Sequence, residues 1–203
     1  MLDLAMKLCN IGVDIEQEEY AAGFMGVNLE HDEETSLLEM KQPGLIDRIT
    51  SAMGLDNGIY KGKFTPSGSV NFFKNEDGVP VSGSFNYISV SVMLLYLFGH
   101  TRPDISFSVN CCERYMFYPR IFHEEALKQI GWYLKLTQDR GLILNPNREL
   151  FNIDIYPDAD LSRIYRHERP TDPACFKTCT GYFITFKNVL FYGNQSYRNR
   201  QPS

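Results

Sequence analysis

Apolar residues repeat every three to four positions in four segments of the chain, which predicts four helices that each bury one face. The helices are expected to start at Pro43, at Asn86 (a good N-cap), at Pro103 and near Phe122. On the last of them, Glu124 and Lys128 are four residues apart and are expected to pair on the outer surface. The predicted inward positions are Leu45, Ile46, Ile49, Met53, Val90, Met93, Leu94, Leu97, Ile105, Val109, Cys112, Met116, Leu127, Ile130 and Leu134.

Alternating positions before and after these helices predict strands. Residues 24–30 and 36–41 are expected to form one hairpin, and residues 183–186 and 189–192 another. Residues 141–144 are expected to begin the sheet of the C-terminal part. In residues 151–160, one face is apolar and the other polar. The apolar positions are Phe151, Ile153 and Ile155, and the polar side carries Asn152, Asp154, Tyr156, Asp158 and Asp160. This order predicts an α+β fold with a mostly antiparallel C-terminal sheet.

Composition narrows the class of protein. The chain has 203 residues, of which 43% are hydrophobic, so it can bury one core or two small ones. No apolar run approaches the ~20 residues that span a bilayer, and the acidic N-terminus lacks the pattern of a secretory signal. Five cysteines are an odd number, which favours a reducing compartment over a disulfide framework. We therefore expect an intracellular protein, cytoplasmic or nuclear, without a membrane partner.

The net charge of −5 is unevenly distributed. Residues 1–60 carry 12 acidic and 3 basic side chains, whereas residues 161–203 carry 2 acidic and 7 basic ones. A basic C-terminal stretch is compatible with nucleic-acid contact, and an ordinary solvated surface explains the same excess equally well.

Asp158 and Asp160 are the candidate metal ligands. Residues two apart on a strand share a face, so both carboxylates can be directed at one hard cation such as Mg²⁺. Two carboxylates rarely suffice, because two-ion nuclease sites use three or four acids. Taken alone, an Asp-x-Asp sequence at a strand end is more often a turn or a cap.

Three motifs stand out along the chain: Thr101-Arg102-Pro103-Asp104-Ile105, Tyr156-Pro157-Asp158-Ala159-Asp160 and Thr180-Gly181-Tyr182, with support from Gln42-Pro43-Gly44-Leu45-Ile46. Together they resemble the distal part of a copia-type LTR retrotransposon polyprotein. The similarity extends from about Gly12 to about Gln195. In the family, the Tyr-x-Asp-Ala-Asp run opens the ribonuclease H domain, and its first Asp is a metal-binding carboxylate.

The resemblance implies a division of the chain into five parts. Residues 1–55 resemble a distal palm-like segment of reverse transcriptase, residues 56–84 a loop or linker, and residues 85–138 a helical connecting region. Residues 139–196 resemble an incomplete ribonuclease H-like domain, and residues 197–203 match nothing in the family.

The resemblance implies Mg²⁺-dependent DNA synthesis and RNA cleavage, with RNA–DNA hybrid, RNA or DNA as the partner and no small-molecule substrate. Polymerase activity in the family requires a Tyr-x-Asp-Asp sequence, which these 203 residues do not contain. The family's later ribonuclease H carboxylates are expected beyond the last residue. Asp158 is therefore expected to be an orphaned catalytic carboxylate, and Mg²⁺ is not expected to bind productively.

Two departures from the family predict lower stability. Val92 stands where the family has Gly, and overpacking there is expected to cost ~1–3 kcal/mol. Phe122 stands at a Ser position that resembles a helix N-cap, a loss of ~1 kcal/mol.

Two alternatives remain open. The first is a binding module without catalysis, in which aromatic residues such as Tyr165, Tyr182 and Tyr192 hold nucleic acid. The second is an unrelated metal-dependent phosphatase, because residues 158–162 resemble the Asp-x-Asp-x-Thr loop of haloacid dehalogenase-like enzymes. The later Lys and acidic pair of that family are not recognisable.

Overall fold

A computed structural model describes residues 26–32, 34–35, 37–56, 63–68, 78–145, 151–160, 178–187 and 189–198. The elements in chain order are β1 (Asn28–Asp32), β2 (Leu37–Lys41), α1 (Pro43–Ala52), α2 (Tyr87–His100), a 3₁₀ turn (Pro103–Ile105), α3 (Ser106–Glu113), α4 (Ile121–Leu136), β3 (Leu142–Leu144), β4 (Ile153–Asp160), β5 (Thr178–Phe186) and β6 (Val189–Arg198). This mixture of helices and antiparallel strands is compatible with the predicted α+β class. None of the helices in the described ranges combines the length and apolarity needed to cross a membrane.

The four helices share one hydrophobic core. The predicted stripes supply most of it, and Met93, Leu45 and Met116 pack at its margin. Residues on both sides of the predicted linker therefore belong to the same core, which joins α1 to α2, α3 and α4. The fully enclosed members are Ile46, Ile49, Met53, Leu55, Tyr87, Val90, Leu94, Leu97, Ile105, Val109, Cys112, Leu127, Ile130, Tyr133 and Leu134.

Local signals predict some of the helix ends and miss others. The Asn86 side chain accepts a hydrogen bond from the Ser89 backbone N–H at 2.9 Å, which confirms Asn86 as the N-cap of α2. Pro103 opens a 3₁₀ turn before α3 rather than the α-helix itself. The predicted N-cap position at Phe122 is wrong, because α4 already begins at Ile121. There the His123 Nδ1 atom accepts the Arg120 backbone N–H at 2.9 Å.

The expected overpacking at Val92 is also wrong. Val92 lies on the outer face of α2 with 52% of its surface exposed, and Ile88 one turn earlier is exposed as well. The side chain therefore meets water rather than a neighbouring helix.

A buried guanidinium joins the 3₁₀ turn to the end of α4. Arg102 Nε and one Nη atom donate to the two carboxylate oxygens of Asp104 at 2.9 and 2.8 Å, and the guanidinium also donates to the backbone carbonyl and the hydroxyl of Thr137 at 2.9 and 2.7 Å. Tyr133 donates its hydroxyl proton to Asp104 at 2.6 Å. Burial raises the pKa of Asp104, but the hydrogen bonds from Arg102 and Tyr133 outweigh it and lower that pKa overall.

Replacing this guanidinium is expected to destabilise the fold. Arg102→Met removes two donors from Asp104 and one from the Thr137 carbonyl. Asp104 is 38% exposed and keeps the Tyr133 hydroxyl, and the carbonyl keeps the Arg140 N–H, so the expected cost is about 1–3 kcal/mol. Urea denaturation followed by circular dichroism measures the change. Arg48→Met, at an exposed site on α1, is the control and should stay within about 0.5 kcal/mol of the wild type. Equal effects of the two substitutions would refute the role of Arg102.

The first sheet has the strand order β1-β2-β3. β1 and β2 form the predicted hairpin, with Leu29 opposite Met40. β3 pairs with β2, so that Leu142 lies opposite Met40, and it does not join the C-terminal strands. The prediction that residues 141–144 begin the C-terminal sheet is therefore wrong. The chain can return this closely because residue 141 is glycine: a Cβ atom there would lie 2.2 Å from the Met40 carbonyl oxygen.

Gly141→Ala is therefore expected to destabilise the protein by about 1–3 kcal/mol, since a backbone carbonyl cannot move aside as a flexible side chain can. Gly99→Ala is the matched control. Gly99 lies on α2 with open space where a Cβ would be, so alanine should raise the free energy of unfolding by up to about 1 kcal/mol. Thermal and urea unfolding of both variants would measure these opposite signs, and a destabilised Gly99→Ala or an unaffected Gly141→Ala would contradict the assignment.

The second sheet has the strand order β4-β5-β6. β5 and β6 form the second predicted hairpin, and Lys187 adopts the positive φ of 53° that two-residue hairpin turns require. Tyr197 and Arg198 pair with β5, so the start of the unmatched tail belongs to β6. Among the described strands, β4 is at the edge of its sheet, which explains how it accommodates Pro157 without losing a ladder hydrogen bond in the sheet interior.

The apolar side of β4 is not buried, contrary to its alternating pattern. Phe151, Ile153 and Ile155 are 86, 67 and 61% exposed, because no element among the described residues covers this face. Lys187 lies near the end of the face, with its ammonium 5.8 Å from the centre of the Phe151 ring.

Candidate functional site

Asp158 lies on the outer part of β4, where alternation directs it to the same face as Asp154 and Tyr156. Its cross-strand neighbour on β5 is Gly181, which offers no side chain and has open space where a Cβ would stand. Among the strands that the structure describes, β4 is at the sheet edge and has no neighbour on its other side. The Asp158 carboxylate is accordingly exposed.

Asp160 follows two positions later and pairs in register with Cys179. Its backbone belongs to β4, and the position of its side chain lies outside the described part. The two candidate ligands thus share a strand, and alternation gives them the same face.

An aromatic pair stands beside Asp158. Tyr156 and Phe183 are directly opposite each other on β4 and β5, and their rings stack with centroids 4.6 Å apart and an angle of 17° between the planes. Both rings are about half exposed. The face therefore combines one exposed carboxylate with an accessible aromatic surface.

These residues do not fit a two-ion centre. Within the described ranges, no three residues among His, Cys, Asp and Glu come together in a way that could hold a metal ion. A hard cation in a hydrolytic site needs several oxygen ligands, and Gly181, the residue of β5 opposite Asp158, supplies no side chain. No step of phosphodiester chemistry follows from this arrangement.

Glu124 is a carboxylate that accepts four hydrogen bonds, although the sequence predicts it on the outer surface. That prediction is wrong: the Glu124 side chain is only 3% exposed. It accepts hydrogen bonds from the Ser82 backbone N–H at 2.8 Å, the Ser82 hydroxyl at 2.6 Å, the Ser84 hydroxyl at 2.5 Å and the Lys128 ammonium at 2.9 Å. The pairing of Glu124 with Lys128 is confirmed.

Perturbed carboxylates often mark functional sites, so the origin of the shift matters. Burial raises the pKa of Glu124, but the donors from Ser82, Ser84 and Lys128 outweigh it and bring that pKa to about 2. Because these four donors bind its two oxygens, Glu124 holds the segment before α2 against α4, and these contacts within the protein account for its lowered pKa. No spacing in the sequence signals this role, since the serines are about forty residues away.

Glu124 should make stability depend on pH on the acid side. Its pKa is lowered from 4.5 to about 2 on folding, so its contribution is complete above the unfolded value and is lost as pH falls from about 4.5 towards 2. Glu124→Gln should lower stability at pH 7 and reduce the loss of stability across this window. Urea denaturation at several pH values measures both effects. The exposed neighbour substitution Glu125→Gln should leave the profile unchanged, and a Glu124→Gln profile parallel to the wild type would contradict the assignment.

Comparison with known proteins gives two related similarities. The chain is 36% identical over 83 residues, 41% of its length, to the "Retrovirus-related Pol polyprotein from transposon RE2" of Arabidopsis thaliana. The same identity and coverage hold for the corresponding polyprotein from transposon RE1 of the same plant. The matched region spans 6% of each of these relatives. No protein-family model matches the chain, and no solved structure matches it. The similarity supports a retrotransposon polyprotein as the origin of this chain.

Proposed function

We propose that the chain is a segment of a copia-type retrotransposon polyprotein. The segment comprises the distal reverse transcriptase region, the connecting helices and the first part of ribonuclease H. Support comes from the motifs at residues 101–105 and 156–160 and from the similarity to two transposon polyproteins. The antiparallel β4–β5–β6 sheet with Asp158 on an outer strand is compatible with the start of a ribonuclease H-like sheet.

These residues by themselves catalyse neither DNA synthesis nor RNA cleavage. The observation that carries this proposal is the environment of Asp158: an exposed carboxylate opposite a glycine, with no cluster of three potential ligands in the described part. Phosphoryl transfer through two divalent ions requires acids that converge from several elements. The missing Tyr-x-Asp-Asp sequence removes the corresponding ligands for polymerisation.

A hybrid-cleavage assay tests this directly. Purified protein is incubated with a labelled RNA–DNA hybrid and either Mg²⁺ or Mn²⁺, and no cleavage above background is expected. Asp158→Asn and Asp154→Asn form a matched pair. Both acids lie on β4, four residues apart, and alternation gives them the same face of the strand. Cleavage that Asp158→Asn abolishes and Asp154→Asn retains would overturn the proposal. Residual cleavage that is equal in all three proteins would identify a contaminating nuclease and leave the proposal intact.

A further inference from the structure

The outward face of α2 is apolar along the whole helix. Ile88 and Val92 are 46 and 52% exposed, and the half-buried Leu95 and the exposed Gly99 continue the same line towards the end of the helix. A helix that faces water usually carries charged or polar side chains on that side. We call Ile88, Val92, Leu95 and Gly99 the α2 seam.

The α2 seam has the spacing with which paired helices contact each other. Its residues follow one another at steps of four, three and four, which is the heptad pattern of a two-helix contact. The inward side of α2 is already used, since Val90, Leu94 and Leu97 are buried in the helical core. One side of α2 therefore holds the fold together, and the other side has the pattern that a further helix would require.

The sizes of the side chains in the α2 seam select a second copy of the same helix as its occupant. A Cβ atom at Gly99 would meet no atom within 4 Å, so the seam has open space at one end and the large Ile88 side chain at the other. When two α2 helices pack antiparallel about a twofold axis, Ile88 lies opposite Gly99 of the partner subunit, and Val92 lies opposite Leu95 of the partner subunit. A parallel pair would put glycine opposite glycine and leave that layer without side chains.

Electrostatics favours the same arrangement. The helix α2 contains no Asp, Glu, Lys or Arg, so two copies bring no like charges together when their seams meet. Antiparallel packing also places the positive N-terminal end of one helix dipole, next to Asn86, beside the negative C-terminal end of the other, at His100. The α2 seam is therefore complementary to itself in charge as well as in size.

The area of the α2 seam determines how strong such a contact can be. The 14 residues of α2 are about 21 Å long, and a strip of roughly the width of one helix buries a few hundred Å² on each copy. A standard interface buries about 800 Å² per partner. We therefore expect a weak dimer, which forms at concentrations of about 10–100 µM.

We propose that the α2 seam is the interface of a homodimer, in which two α2 helices pack antiparallel and Ile88 of each copy enters the open space at Gly99 of the other. The two ends of the seam then fill each other, and the Val92 and Leu95 side chains meet between them. The seam lies on the helical part of the molecule and contains neither Asp158 nor any other residue of β4. The inference does not depend on the proposed function.

Sedimentation velocity of the full chain at about 1–200 µM measures the dimer. The mass should rise with concentration from 23.4 kDa towards twice that value. Ile88→Glu and Gly99→Lys should each raise the dissociation constant about tenfold or more, because each places an unpaired charge in an apolar contact.

Combining the two substitutions in one chain tests the antiparallel arrangement. In that arrangement, the new carboxylate at position 88 faces the new ammonium at position 99 of the other copy, on both sides of the twofold axis. The double variant should therefore bind about threefold or more tightly than either single variant. In a parallel pair, like charges would meet in both layers, and the losses would add.

Ile143→Lys is the matched control, because Ile143 is 55% exposed on β3 and lies opposite Glu39. It should leave the dissociation constant unchanged. Circular dichroism at about 1 µM, where the chain is monomeric, should show the wild-type fold for all variants, since positions 88 and 99 are exposed. Gly99→Lys serves as the second variant if Ile88→Glu does not fold.

A wild-type chain that remains monomeric at about 200 µM would overturn the proposal. An Ile88→Glu variant that dimerises as the wild type does would assign self-association to another surface and would overturn it too. The same holds if the losses in the double variant equal the sum of the single losses, or if Ile143→Lys weakens the dimer equally. Binding of a monomeric chain to phosphatidylcholine vesicles, abolished by Ile88→Glu, would assign the seam to a lipid surface instead.

Discussion

The helical part of this protein depends on one buried cation. Arg102 cannot be moved into a low-dielectric interior without a large desolvation cost, so its guanidinium must be fully paired there. Asp104 and Thr137 supply that pairing, and Tyr133 holds Asp104 in place. A planar group with donors in fixed directions restricts the position of each acceptor. The hydrogen bonds of Arg102 therefore fix the position of the 3₁₀ turn before α3 relative to the C-terminal end of α4. The apolar stripes of the helices pack next to this connection.

Polar contacts of the same kind secure the other ends of the helices, while apolar side chains fill the space between them. The Thr101 hydroxyl donates to the buried Gln42 side chain at 2.9 Å, which connects the end of α2 to the start of α1. Near the start of α4, Glu124 accepts hydrogen bonds from Ser82 and Ser84, which precede α2. Gln42, Thr101 and Glu124 are buried, so leaving any of them without its partner would cost about 1–3 kcal/mol or more. The helical core is thus specified by a few satisfied polar groups as well as by hydrophobic burial.

Local patterns in the sequence predicted what local physics determines. The helical stripes, the two hairpins and the Asn86 cap depend on residues within a few positions of one another, and the structure confirms them. The burial of Glu124 could not be predicted in this way, because an exposed i,i+4 pair and a buried one have the same spacing. The pairing of β3 with β2 depends on how closely the backbone at Gly141 can approach Met40. The exposure of Val92 depends on whether another element packs there, and none in the described part does. At the candidate site, the position of Asp158 on a strand was predictable, whereas its isolation depends on which residue stands opposite.

The isolation of Asp158 has different consequences for catalysis and for binding. A carboxylate becomes part of a two-ion centre only when other elements bring further acids to the same few ångströms, and here the neighbouring positions carry Gly181 and a stacked aromatic pair. Stacking has no such requirement: one exposed ring on a rigid backbone contributes whether or not any other element is present. A change that removes one ligand therefore disables the two-ion mechanism, while a surface that binds through individual rings loses affinity in steps. On this face of β4, the described side chains supply the exposed carboxylate of Asp158 beside the stacked Tyr156 and Phe183 rings, so hydrolysis there would require further acids from other elements.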